Sequence, residues 1–180
     1  DRSFGPDKNL VADYGSAVMR GMQDGGVVAC AKHFPGHGDT EVDSHKALPV
    51  LKFPKERLDS VELYPFRRLI KDGVEMVMVG HLLVPVLDTL PASVSKVVVT
   101  DLLRKKMKFR GLIITDALGM EGVLEPFGGS GAKATLAAYK AGVDILLMPD
   151  NVSESIDLIV DYIGDDRRKL KDLDARVSRV

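Results

Sequence analysis

The sequence is poor in cysteine and in aromatic residues. Cys30 is its single cysteine, tryptophan is absent, and aromatic residues make up 6% of the chain. One thiol cannot form an internal disulfide, so a disulfide-supported fold is excluded. Because Cys30 lies in the apolar run of residues 27–31, we expect it to be a small core residue.

An excess of charge of either sign is also missing. Lys and Arg number 25 and Asp and Glu 26, which gives a formal net charge of -1. This balance predicts neither a nucleic acid nor an anionic membrane as partner. Since no uninterrupted apolar run reaches the length of a membrane span, a spanning helix is not predicted either.

The start of the chain carries no initiator methionine, because the sequence opens directly on Asp1 and Arg2. We therefore expect residues to have been lost upstream, and no secretory signal is recognisable at this point. The compartment stays open between cytoplasm and periplasm.

Apolar runs alternate with amphipathic stretches along the whole chain, which is typical of successive βα units. Strands are predicted at residues 26–32, 74–80, 111–115 and 144–148, with a weaker extended segment at 91–94. Helices are predicted near residues 9–24, 55–71, 96–107, 132–141 and 153–163. The mixed charges of residues 165–169 predict a solvated helix end. We assign residues 1–180 to a single α/β domain.

The strand runs are apolar almost throughout, which favours a parallel sheet that is covered by helices on both faces. A doubly wound sheet and part of a (β/α) barrel both fit this pattern. No glycine-rich nucleotide turn follows any of the strands, which weakens the doubly wound alternative. Polar residues instead follow several different strands, and in a barrel those strand ends converge on one face.

The densest group of ionisable residues directly follows the first predicted strand. Residues 32–40 read KHFPGHGDT and residues 43–45 read DSH, so that three of the four histidines lie within one segment. Its proline and glycine residues predict a loop and exclude a helix.

Three interpretations of this loop compete. The side chains of His33, His37, Asp43 and His45 are of the type that binds zinc, although their spacing matches no helical metal motif. Alternatively, the histidines hydrogen-bond to the backbone of a polar loop and have no chemical role. In the third interpretation, Asp43 fixes the tautomer of His45 and raises its pKa, which produces a proton donor near neutral pH.

A second candidate lies in residues 111–120, which read GLIITDALGM. Asp116 follows a buried strand at the end where barrel enzymes place their catalytic groups. An aspartate in this position is equally often the N-cap of the next helix. Gly119 and Gly122 interrupt the following residues, which argues against a helix that begins at Asp116.

Together these motifs resemble glycoside hydrolase family 3, in its β-N-acetylglucosaminidase branch. The KHFPGHG and DSH motifs are similar to the branch's K-H-F-P-G-H-G…D-S-H loop, and TDALGM at residues 115–120 is similar to the family's (S/T)-D-x-L-x-M nucleophile segment. Residues 2–5 (RSFG), 80–81 (GH) and 91–93 (PAS) also occur in the family's order. The resemblance covers essentially the whole chain.

This resemblance implies a retaining glycoside hydrolase that removes terminal β-linked N-acetylglucosamine from substrates such as peptidoglycan fragments. Asp116 would be the nucleophile and His45 the general acid/base, with Asp43 as the partner of His45. Glu41 is the alternative acid. Neither a cofactor nor a metal is implied.

The resemblance also implies a carbohydrate-binding subsite. Arg2, Lys32 and His33 would hydrogen-bond to sugar hydroxyls, and His81 and Met120 would line the same pocket. Taken singly, Arg2 and Lys32 could equally be salt-bridged barrel residues.

The implied fold is a partial (β/α)8 TIM-type barrel, since the chain accounts for about the last five of the eight βα units. Two strand edges would then be open, and we expect an open half-barrel or edges covered by self-association with another copy. Two rival functions remain. One is a family 3 β-glucosidase, whose acid/base the resemblance assigns to a second domain, and the other is a non-catalytic carbohydrate-binding fragment.

Overall fold

The centre of the molecule is a parallel sheet. The structure, a computed structural model, describes residues 3–38 and 48–180. Its three strands are β1 (Cys30–Phe34), β2 (Met76–Val79) and β3 (Leu112–Thr115), and they neighbour one another in chain order. Both strand pairs are parallel, and Val79 pairs with Phe34 on one side and with Thr115 on the other. The α/β class and the parallel sheet predicted from the sequence are confirmed.

The predicted strand at residues 144–148 runs beside β3 without forming a regular ladder. Ile145 makes an isolated parallel bridge to Ile114. The amide N of Leu147 donates to the side-chain hydroxyl of Thr115 at 3.0 Å, so that a side chain replaces the backbone acceptor at this point. Met148 then takes up a left-handed conformation, with φ 48°, which ends the extended segment.

Helices follow or precede each strand, close to the predicted positions. They are α1 (Lys8–Asp24), α2 (Lys55–Arg57), α3 (Leu63–Lys71), α4 (Glu121–Leu124), α5 (Gly131–Ala141), α6 (Val152–Ile163) and α7 (Arg167–Val177). Leu58–Glu62 and Val97–Lys106 wind as π-helices. None of the helices in the described part of the chain has the length and apolar character needed to cross a membrane.

Two sequence predictions of local structure are wrong, and a third is confirmed. Residues 91–94 are not extended, because Ala92–Val94 form a 3-10 turn after Pro91. Residues 165–169 form the predicted helix end, which is the start of α7, where the Asp166 carboxylate accepts hydrogen bonds from the amides of Arg168 and Lys169. Cys30 is only half-buried, since it lies at the start of the edge strand β1.

The hydrophobic core lies between the sheet and the helices. The side chains of Phe34, Val77 and Ile113, one from each strand, are fully buried. Phe34 meets Phe66 of α3 edge-on, with the ring centroids 5.2 Å apart. This packing makes the sheet a rigid support for the side chains at its edge.

The spacing between β2 and β3 depends on the absence of a side chain at Gly111. A Cβ atom at this position would lie 2.2 Å from the carbonyl oxygen of Glu75, which accepts the hydrogen bond of the Leu112 amide. We expect Gly111→Ala to lower the free energy of unfolding by roughly 1–3 kcal/mol, because the backbone of one strand must shift. Urea unfolding measures this change.

Gly21→Ala is the matched control for that substitution. Gly21 lies inside α1 with no atom within 4 Å of its would-be Cβ. Alanine there should stabilise the protein by about 0.5–1 kcal/mol, because it restricts the unfolded chain and favours the helix. Equal unfolding free energies for the two variants would contradict the role assigned to Gly111.

Candidate active site

The side chains singled out from the sequence meet at the carboxyl edge of the sheet. His33 lies near the end of β1, His81 follows β2 by two residues, and Asp116 directly follows β3. Because the three strands are parallel and neighbour one another, their carboxyl ends share one edge. This is the edge at which α/β enzymes bind their ligands.

Asp116 is held by the backbone on two sides. Its amide N donates to the carbonyl oxygen of Val79 at 2.9 Å, and its Oδ1 accepts a hydrogen bond from the amide N of Ala117 at 2.9 Å. Its Oδ2 lies 3.6 Å from Nε2 of His33, and the carboxylate side chain keeps 19% of its surface exposed. One oxygen is therefore bound to the backbone, while the other lies next to an imidazole.

Asp116 is not the N-cap of a helix. The next helix, α4, begins at Glu121, and its N-cap position is occupied by Met120. Met120 is half-buried, and its amide donates to the carbonyl oxygen of Ala117 at 3.2 Å. The expectation that no helix begins at Asp116 is thus confirmed, although Gly122 lies inside α4 and does not interrupt it.

His33, which the sequence predicts to bind the sugar, is brought next to Asp116 by the structure. Its imidazole also packs edge-on against that of His37, with the centroids 5.7 Å apart and an interplanar angle of 70°. Lys32, one residue earlier on β1, is exposed at the same end of the sheet. Within residues 3–38 and 48–180, no group of three or more His, Cys, Asp or Glu side chains is arranged to hold a metal ion.

Three predicted site residues lie outside the described part of the chain: Arg2, Asp43 and His45. Glu41, the alternative acid, lies outside it as well. Their assigned roles therefore stay predictions from the sequence.

His81 lies beneath the site and not on its surface. Its side chain is 1% exposed, and both ring nitrogens contact protein atoms: Nδ1 lies 2.7 Å from Oγ of Ser93, and Nε2 lies 2.8 Å from the carbonyl oxygen of Ala117. Burial lowers the pKa of His81, while the hydrogen bond to Ala117 and the charge of Asp116 act in the opposite direction. The ring is therefore in position to support the segment after Asp116, and its nitrogens do not face a pocket as the sequence led us to expect.

Sequence reasoning missed two residues of this region. Ser93 belongs to the PAS segment, but nothing in the segment's spacing indicates that its hydroxyl contacts His81. Asp150 packs so closely against Gly119 and Gly131 that a Cβ on either glycine would lie within 3.0 Å of an Asp150 atom. The pair of glycines before and after α4 was the only signal for this close approach.

The family model described as Glycosyl hydrolase family 3 N terminal domain matches residues 1–180. The chain belongs to glycosyl hydrolase family 3. The membership that the KHFPGHG, DSH and TDALGM motifs predicted is thereby confirmed.

Individual relatives are similar over most of this chain. A Beta-hexosaminidase of Methylobacillus flagellatus is 36% identical over 157 residues, which cover 86% of this chain and 44% of the relative. A glycoside hydrolase family 3 beta-N-acetylglucosaminidase from Paenibacillus sp. str. FPU-7 superposes with a TM-score of 0.91 and 39% identity, over 99% of this chain and 34% of that one.

The beta-N-acetylglucosaminidase from Thermotoga maritima superposes with a TM-score of 0.87 and 32% identity, over 99% of this chain and 39% of that one. The family 3 chain described here thus spans less than half the length of each of these three relatives.

Proposed function

We propose that this chain is the part of a glycoside hydrolase that carries the nucleophile, in an enzyme that removes terminal β-linked N-acetylglucosamine with retention of configuration. The observation that carries the proposal is the Asp116 carboxylate, partly exposed at the carboxyl end of β3 with Oδ2 3.6 Å from His33. The names of the relatives support the N-acetylglucosaminide as substrate class. For the natural source of that sugar we propose peptidoglycan fragments.

The first step of the proposed reaction is attack by Asp116 on the anomeric carbon. An oxygen–carbon bond forms between the carboxylate and the sugar, and the bond to the leaving oxygen breaks. The leaving oxygen receives a proton from His45, which is held in position by Asp43. Water then attacks the same carbon, gives its proton back to His45, and releases Asp116 as a carboxylate.

The sugar itself would be held by side chains next to the nucleophile. Lys32 and His33 are both on β1, and we assign them to hydroxyl groups of the N-acetylglucosamine ring, together with Arg2. Met120 lies close to Asp116 in the chain, and we assign it to the apolar side of the same ring. The Oδ2 contact of His33 supports its part in this assignment.

For the whole protein we propose a (β/α) barrel that this chain completes only in part. Exposed apolar side chains recur every four residues along α1, which precedes the edge strand β1, and along α6, which follows residues 144–147. They are Leu10, Tyr14, Val18 and Met22 on α1, and Val152, Ile156 and Val160 on α6. Apolar faces at both flanks of the sheet favour further chain, or a second copy, packed against each of them.

The test of the proposed function is hydrolysis by the whole protein of two fluorogenic substrates that differ only at carbon 2. A β-N-acetylglucosaminide should be hydrolysed at least tenfold faster than the corresponding β-glucoside. The reverse preference would favour the β-glucosidase alternative. Saturable binding of N-acetylglucosamine without hydrolysis of either substrate would favour a carbohydrate-binding fragment.

The 180 residues by themselves should not hydrolyse the N-acetylglucosaminide efficiently. Among the described residues, β1 has β2 as its single strand partner, and an unpaired parallel edge is costly and prone to association. The sugar subsite would also lack any residue contributed by the rest of the barrel. Turnover by residues 1–180 close to that of the whole protein would contradict this expectation.

A further inference from the structure

His81 and Ser93 form a buried polar pair below the candidate nucleophile. Their side chains are 1% and 0% exposed, and Nδ1 of His81 lies 2.7 Å from the Ser93 hydroxyl. Nε2 faces the carbonyl oxygen of Ala117, which can only accept a hydrogen bond. The ring must therefore carry a hydrogen on Nε2, and in the neutral ring Nδ1 accepts from the Ser93 hydroxyl.

The carbonyl of Ala117 belongs to a peptide unit that is held on both sides. On one side it accepts the hydrogen bond from His81, and on the other the amide N of Leu118 donates to the carbonyl oxygen of Leu147 at 2.9 Å. The preceding amide N, that of Ala117, donates to Oδ1 of Asp116. The direction of this N–H therefore depends on how the next peptide unit is held.

We propose that His81, with its tautomer fixed by Ser93, is a positioning residue for the nucleophile; this inference rests on the proposed function of Asp116. By fixing the Ala117–Leu118 peptide unit, it keeps the Ala117 N–H on Oδ1 and leaves Oδ2 directed toward His33. His81 does not touch the substrate, because its side chain is buried and both of its nitrogens are engaged.

The pair makes directional contacts that an apolar pair could not make. A buried imidazole and a buried hydroxyl lose their contacts with water, whereas an apolar pair of similar size would pack here without that cost. The hydrogen bond from Nε2 reaches the residues after β3, and the one at Nδ1 orients the ring that makes it. A small displacement of a reacting group can lower a rate on the order of 100-fold, so this geometry matters for the proposed chemistry.

The experiment measures the rate at which Asp116 is labelled in the whole protein. The probe is a fluorinated N-acetylglucosaminide whose sugar–enzyme intermediate breaks down slowly, and mass spectrometry follows the labelled peptide. We expect His81→Leu to lower the labelling rate constant on the order of 100-fold, while the dissociation constant of the probe changes less than threefold. If the role of His81 were merely structural, the substitution would lower thermal stability without lowering the labelling rate constant more than it weakens probe binding.

Two further variants keep the test informative even if His81→Leu does not fold. In His81→Gln the side-chain amide can still donate to the carbonyl oxygen of Ala117. We therefore expect this variant to be labelled at least tenfold faster than His81→Leu. Ser93→Ala should lower the rate about tenfold, because the hydrogen bond that fixes the tautomer is lost. In the His81→Gln background Ser93→Ala should have a smaller effect, since the two residues act as one unit.

Ser95→Ala is the matched control for Ser93→Ala. Ser95 is also a fully buried serine, two residues away, but its hydroxyl contacts the Asp88 carboxylate and the amide N of Val98. It should lower thermal stability without changing the labelling rate. If the His81 and Ser93 variants are labelled at the wild-type rate, the positioning role of His81 is wrong while the proposed function stands. If Asp116 is not labelled in the unmodified protein, the proposed function itself is wrong.

Discussion

Replacing Asp116 by alanine is expected to abolish turnover of N-acetylglucosaminides by the whole protein, with a loss of at least about 10⁴-fold in kcat. Asp116 is the carboxylate that directly follows β3, and its Oδ2 lies beside His33. The fold should survive, because the side chain is partly exposed and contacts the Ala117 amide and the His33 imidazole. Steady-state hydrolysis and thermal unfolding measure the two effects.

Asp116→Asn distinguishes the loss of the nucleophilic carboxylate from the loss of the side chain's volume and hydrogen bond. The amide can still accept the Ala117 hydrogen bond but is a far weaker nucleophile, so this variant should be as inactive as the alanine variant. The fluorinated probe should label Asp116 in the unmodified protein. Labelling at Asp43 or Glu41 instead would contradict the assignment of the nucleophile.

Replacing His45 by alanine is expected to lower the hydrolysis of unactivated disaccharide substrates by roughly 10²–10⁴-fold, and that of activated aryl glycosides far less. The reason is that only a poor leaving group needs a proton as it departs. Asp43→Ala should give the same pattern in a milder form, since Asp43 acts through His45. Comparison of kcat/KM across leaving groups of graded basicity measures this dependence.

His37→Ala is the control for the His45 variant, because His37 belongs to the same loop motif and contacts His33. Its losses should be equal for all leaving groups. If His45→Ala also shows equal losses, His45 binds the sugar or pins the loop, and the proton donor must be sought elsewhere, with Glu41 as the first candidate.

The fold class could be predicted from the sequence because its signals are local. The apolar runs that became β1, β2 and β3 have the length and continuity of strands buried in a parallel sheet. The helical stretches that were predicted agree with the structure to within a few residues, because their apolar side chains recur with the period of a helix. The family was recognisable for the same reason, because short motifs carry it.

Other parts of the fold were wrong in the sequence prediction because their conformation depends on distant contacts. Residues 144–148 look like a strand, but the Thr115 hydroxyl takes the place of a ladder partner for Leu147. The PAS segment looks extended, but it turns at Ala92–Val94, where Ser93 meets His81. The contacts of the Thr115 and Ser93 hydroxyls cannot be predicted from the spacing of hydrophobic residues along the chain.

The sequence by itself determined which chemical groups are available: the Asp116 carboxylate after a buried strand, the histidine-rich segment that begins on β1, and the parallel order of the strands that carry them. Only the tertiary structure decided how these groups meet. It placed His33 beside Oδ2 of Asp116. It also showed that His81, which we expected to line the pocket, is buried and contacts Ala117, 36 residues further along the chain. Such contacts depend on strand register and on the direction of single hydrogen bonds, which side-chain patterns along the chain do not encode.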